Sequence, residues 1–111
     1  MFNAQQQGAI TLISGNGPIA SSTLEELGRL LDECLAASHR RIVFNLTEVP
    51  LFDSAGLEWL LDASDSCAAL GGQLQLAAAN LLCRDILRIT GIGNRFETFE
   101  DVRTAVRSFS R

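Results

Sequence analysis

Apolar residues along the chain switch repeatedly between short β-branched runs and longer stretches spaced by three and four. Ala9 to Ser14 is a β-branched run closed by Gly15-Asn16-Gly17-Pro18, which predicts a strand. A poorly signalled strand precedes it near Phe2 to Gln6, so residues 1–8 form an ill-defined segment or an edge strand. Leu24, Leu27, Leu31, Cys34 and Leu35, with Leu30 widening the stripe, predict a helix to about Ala37, capped by Ser22 or Thr23. Glu25 and Glu26 occupy its first turn, where the helix dipole favours acids. In Ile42-Val43-Phe44-Asn45-Leu46 four of the five residues are apolar, without alternation, as in a strand covered on both faces. The next helix spans about Ser54 to Leu70, with Leu57, Leu60, Leu61, Ser64, Cys67 and Ala68 as its core stripe and Gly71-Gly72 as its stop.

Gln73 to Ala77 alternates as a strand. Asn80 caps a third helix to about Thr90 that turns Leu82, Ile86 and Ile89 inward and ends at Gly91. A short strand lies within Arg95 to Phe99. Thr98 and Asp101 resemble a capping box, opening a terminal helix from Glu100 to Phe109 that buries Val102, Val106 and Phe109. Strands alternating with helices predict a single α/β domain over residues 1–111. Its sheet is mostly parallel or mixed, with four to five strands and about four helices. Such folds place their chemistry where strand ends feed helix starts.

Composition removes several functions. The formal charge is −4, and all nine basic residues are Arg. An acidic chain without a basic run offers no footprint for a phosphate backbone, and a chain without Lys cannot carry a Walker sequence. The N-terminus has neither a positive n-region nor an apolar h-region, and no stretch is long and apolar enough to span a membrane, so a cytoplasmic protein is expected. Cys34, Cys67 and Cys83 are odd in number and far apart, which fits reduced, buried thiols rather than disulfides or zinc. No cluster of His, Cys or carboxylates has metal-ligand spacing.

Motifs for catalysis also fail. Gly15-Asn16-Gly17-Pro18-Ile19-Ala20 nominally fits a dinucleotide turn, but Pro18 removes an N–H from the phosphate cradle, and Asn45 stands where a ribose-binding acid belongs. Ser54 lacks the first glycine of a nucleophile elbow, and the sole histidine, His39, sits between helix and strand beside Arg40 and Arg41.

The informative segment is Leu51-Phe52-Asp53-Ser54-Ala55-Gly56-Leu57, in which Asp-Ser opens a helix after a buried strand. It has two readings. In one, Asp53 or Ser54 simply caps the helix. In the other, the Ser54 hydroxyl accepts a phosphoryl group that the helix N-terminus tolerates but Asp53 and Glu58 oppose, so that a surface packed over it is disrupted. Trp59 lies roughly opposite Leu57 and, with Glu58, Asp62 and Ser66, forms an expected outward face that starts at Ser54. It is read either as an interface anchor or as a ring folded over a neighbouring loop.

From about Ala9 to Phe109 the chain resembles a STAS domain of the anti-sigma factor antagonist type. The likeness rests on Ile42 to Leu57 with its Asp53-Ser54-Ala55-Gly56-Leu57 helix start, on Gly71-Gly72-Gln73-Leu74, and on the Leu87 and Gly91 pair. Where that family often carries a charged G-E-L-D loop, this chain has the uncharged Gly17-Pro18-Ile19-Ala20. The resemblance implies a non-enzymatic regulator without cofactor or metal. Its unmodified form would bind an anti-sigma factor that is also a Ser/Thr kinase. Phosphorylation of Ser54 from ATP and Mg²⁺ would release it, and a Ser/Thr phosphatase would reset it. Asp53 matches the acid that positions the hydroxyl or meets the kinase, and the expected partner-binding set is Asp53, Ser54, Ala55, Glu58, Trp59 and Asp62. The alternative is a constitutive STAS interaction subunit of an ABC transporter or signalling scaffold, with Ser54 only a helix cap. A third reading is a small-molecule or nucleotide binder.

Overall fold

Five strands form one mixed sheet in the order β1-β2-β3-β4-β5, seen in a computed structural model that describes residues 1–109. The last two residues of the expected 1–111 domain lie outside the described residues. The chain runs β1 (Phe2–Gln7), β2 (Ile10–Gly15), α1 (Leu24–Ala36), β3 (Arg41–Asn45), α2 (Ser54–Ala69), β4 (Gln73–Ala77) and α3 (Leu81–Thr90). A 3₁₀ turn (Ile92–Arg95), β5 (Thr98–Phe99) and α4 (Val102–Ser108) complete it. β1 pairs antiparallel with β2, and the other three pairings are parallel. The single α/β domain expected from the sequence is therefore observed, with β1 as the edge strand.

Strand alternation divides the core in two. Ile13, Ile42, Phe44, Leu74 and Leu76 pack under α1, α2 and α3, whereas Ile10, Val43 and Ala77 pack with Ala105 of α4. Helices on both faces explain why β3 reads as an apolar run without alternation. They also bury Gln75 (1% exposed), which alternation alone assigns to a wet face. Its side-chain amide donates to Glu97 Oε2 at 3.2 Å and to Ser108 Oγ at 2.8 Å, so the polar group is satisfied.

Two helices are rotated relative to the expected stripes. The inward side of α2 is Gly56, Leu57, Leu60, Ala63 and Cys67, while Ala68 is exposed and Leu61 and Ser64 are only partly covered. Small residues let α2 approach its neighbours closely, and a pattern that weighs large apolar side chains overlooks them. In α3 the inward residues are Cys83 and Leu87; Leu82 is 52% exposed and Ile89 is 74% exposed, against the expectation that both face in. Asn80 sets this rotation. Its Oδ1 accepts from the Cys83 N–H at 2.7 Å while its Nδ2 donates to Val49 O at 3.2 Å, which turns Cys83 onto the chain beneath.

Capping also differs from expectation at two helices. Thr23 stands at the N-cap of α1, but its hydroxyl faces backward, donating to Pro18 O at 2.7 Å and accepting from Ala20 N at 3.2 Å. Asp101 alone caps α4, accepting from Thr104 N at 2.7 Å, while Thr98 belongs to β5. In α4, Ala105 is fully buried, and Val102, Val106 and Phe109 pack around it partly covered.

Candidate functional site

The C-terminal ends of β2 and β3 each feed a loop, and the two loops are stitched together. Gly17 N–H donates to Glu48 O at 3.3 Å, Ile19 N–H to Leu51 O at 3.1 Å, and Asp53 N–H to Ile19 O at 3.3 Å. Ile19 and Phe52 form an isolated parallel bridge. The longer loop is anchored from beneath by Leu46, Val49 and Phe52, all buried, and from the side by Asn80, which also donates to Pro50 O at 3.3 Å. A loop held by apolar anchors and backbone bonds presents its last residues in a fixed position.

Those last residues are Asp53 and Ser54. Asp53 is the N-cap of α2. One of its carboxylate oxygens accepts from Gly56 N–H at 2.7 Å and the other from Ser21 N–H at 3.0 Å. These donors, Ser21 first and then Gly56, hold its carboxyl below the usual carboxylate range. Asp53 thus closes the helix end and fastens the two loops with one side chain. Ser54, the first residue of α2, is exposed, and among the described residues its hydroxyl has no hydrogen-bond partner. Of the two caps the sequence offers, Asp53 is therefore the one in place, and Ser54 does not cap the helix.

Gly56 explains the closeness of the two loops. A Cβ built there would stand 1.7 Å from Ile19 O and 2.5 Å from Ile19 C. The backbone of α2 lies directly against the Gly17–Ser21 segment, and no other residue type fits without moving it.

The structure brings most of the expected set together. Ser54, Glu58 and Asp62 lie four residues apart and exposed, so they form one polar ridge on α2; Ala55 is half-buried beside it. Asp53 sits at its base. Trp59 does not share this ridge. Its indole is half-buried between α1 and α2, edge-on to Phe44 with ring centroids 6.4 Å apart, and its Nε1 lies 4.0 Å from where a Cβ on Gly28 would stand. The expectation of an outward Trp59 is corrected. At about 100° per residue, its position falls on the flank of the true stripe through Gly56, Leu60 and Ala63 rather than opposite it. Sequence reading identified Asn80 as a cap but missed its second task of holding the loop before Asp53. It also missed the exposed apolar residues Leu51, Leu81 and Leu82 on either side of that contact.

All three cysteines are buried free thiols, and burial pushes Cys67 and Cys83 up to about 11. Among the described residues no group of His, Cys, Asp and Glu could hold a metal ion, and no helix is long and apolar enough to cross a membrane.

The sequence profile of the STAS domain matches residues 1–105. The chain belongs to the STAS domain family. No curated protein matches it. Among solved structures, this STAS domain is similar to a candidate anti-sigma factor antagonist from Thermotoga maritima. The TM-score is 0.93 at 19% identity, over 100% of this chain and 96% of that one. It is similar to the Bacillus cell fate determinant SpoIIAA in its phosphorylated form, with a TM-score of 0.75 at 15% identity over 98% and 99% of the two chains. It is also similar to a sulfate transporter family protein from Wolinella succinogenes, with a TM-score of 0.81 at 19% identity over 94% and 87%. At these identities the likeness is one of fold.

Proposed function

We propose that this STAS domain is a non-enzymatic, cytoplasmic binding switch of the anti-sigma factor antagonist kind. Unmodified, it binds an anti-sigma factor that is also a Ser/Thr kinase; phosphorylation of Ser54 releases it, and a Ser/Thr phosphatase restores it. The observation that carries this reading is the exposed Ser54 hydroxyl at the start of α2, left over because its neighbour Asp53 satisfies the helix end. The phosphorylated state of SpoIIAA, a protein of the same fold, supports it.

Electrostatics supplies the direction of the switch. A phosphate on Ser54 brings a charge of about −2. It meets Asp53, already bonded to the Gly56 N–H, and the ridge acids Glu58 and Asp62, on a helix that has no basic residue. The domain itself tolerates the group, because Ser54 faces solvent. A partner seated over Ser54, Glu58 and Asp62, with Leu51, Leu81 and Leu82 as apolar area, does not. Moving occupancy from nearly full to nearly empty requires about 5.5 kcal/mol of discrimination, which an unpaired dianion buried in an interface can supply.

The test is to incubate the protein with purified anti-sigma factor kinases of its own genome and ATP, and to read intact mass. One added phosphate, lost in Ser54→Ala, is expected. Binding of the same kinase by Ser54→Ala but not by Ser54→Asp completes the pattern. The transporter-type neighbour motivates a second reading, a constitutive interaction subunit. Under it, wild type and Ser54→Asp bind their partner alike.

A further inference from the structure

A second feature lies away from Ser54, at the C-terminal ends of β4 and β5. A half-open cleft of about 650 Å³ separates α3 from the segment that carries β5. Its volume falls within the range of small-molecule sites, and strand ends of parallel sheets are where α/β folds bind ligands. Ala79 and Gly93 line it above the buried Leu76 and Leu87, and Arg84, Arg88 and Glu100 line it as well. The two arginines are one helical turn apart, so both guanidinium groups can reach one anion. Arg88 makes only an exposed 3.4 Å contact with Asp85, and Arg84 has no ion-pair partner among the described residues. In an acidic chain with no Lys, two arginines lining one cleft stand out, with Glu100 and the Asp85 that Arg88 touches as the acids beside them.

The backbone at the lip is also unusual. Ala78 sits between two cleft-lining alanines with φ 62°, a left-handed conformation that a residue with a Cβ adopts at a cost. Its N–H donates to Phe99 O at 3.0 Å, which ties the two strand ends together at the cleft.

We propose that this cleft binds a small amphipathic anion. One carboxylate or phosphate engages Arg84 and Arg88, and an apolar body lies against Ala79 and Gly93 above the buried Leu76 and Leu87. The inference does not depend on Ser54 or on the switch.

Titration of ¹⁵N-labelled protein with 8-anilinonaphthalene-1-sulfonate, an aromatic anion of suitable chemistry, tests it. Saturable shifts are expected at the amides of Ala77, Ala79, Phe99 and Glu100. Affinity should fall roughly tenfold or more in the R84Q/R88Q variant, because two charge-assisted bonds are lost. The I89S variant controls for the exposed apolar side of α3 and should bind as wild type does. Decanoate and guanosine monophosphate, run as competitors, distinguish a carboxylate ligand from a phosphate one, and displacement by either supports the site. Four results would overturn the proposal: no saturable shift with any of these anions, shifts confined to the Leu82 and Ile89 surface, unchanged affinity in R84Q/R88Q, or inorganic phosphate binding as tightly as the aromatic anion.

Discussion

Replacing Gly56 with Ala isolates the contact that brings the two site loops together. The new Cβ would stand 1.7 Å from Ile19 O, where ordinary contact begins near 3.4 Å, so the Gly17–Ser21 segment must retreat by more than an ångström. Overpacking of this kind costs about 1–3 kcal/mol. The retreat also stretches the two backbone bonds of Ile19, at 3.1 and 3.3 Å, each contributing about 1 kcal/mol. Against this, Ala gains about 1 kcal/mol over Gly in a helix. The net expectation is a loss of about 3 kcal/mol and a fall in Tm of roughly 10–15 °C. Urea unfolding and calorimetry on wild type and Gly56→Ala measure it. Gly28→Ala in α1 is the control: its nearest neighbour would be Trp59 Nε1 at 4.0 Å, so the substitution should stabilise by about 0.5–1 kcal/mol. If Gly56→Ala were as stable as Gly28→Ala, the close approach of α2 to the Gly17–Ser21 segment would be refuted.

Three further outcomes are expected. Ser108→Ala strips the buried Gln75 amide of its 2.8 Å acceptor and should cost about 1–3 kcal/mol in urea, whereas the Gln75→Leu, Ser108→Ala pair should cost less, because no polar group is then left unpaired. Cys67 and Cys83, pushed up to about 11 by burial, should resist a thiol reagent at neutral pH and react only on unfolding; rapid labelling of the native protein would contradict their burial. Asp53 titrates below its ordinary 3.8, so its contribution is present above that pH and is lost as pH falls through the lower, folded value; the Ser21 and Gly56 amide shifts should turn over below pH 3.8, and a midpoint at or above it would contradict the double hydrogen bond.

Element order, the central strand and the Asp53-Ser54 helix start were legible because each has a local cause. An apolar run gives β3, Asn80 and Asp53 give caps, and glycines end helices. Rotation of α2 and α3 was not, because it is set by tertiary contacts: Gly56 against Ile19, and Asn80 across to Val49. Trp59 illustrates the limit. A large aromatic looks like a surface anchor when the stripe is drawn through Leu57 and Leu61, and like a packing residue once Gly56, Leu60 and Ala63 define it. Burial of Gln75 was hidden for a similar reason, since alternation along β4 carries no sign that α4 covers its second face. The cleft beside Arg84 and Arg88 had no linear signature either, since its walls come from four separate segments.

The switch at Ser54 stands or falls on calorimetric titration of one anti-sigma factor kinase with three forms of this protein: unmodified, Ser54→Asp and enzymatically phosphorylated. A drop in affinity of roughly a hundredfold or more from the first form to the third, with Ser54→Asp between them, is the predicted result. Indistinguishable affinities across the three forms would show that charge at this helix start does not govern docking.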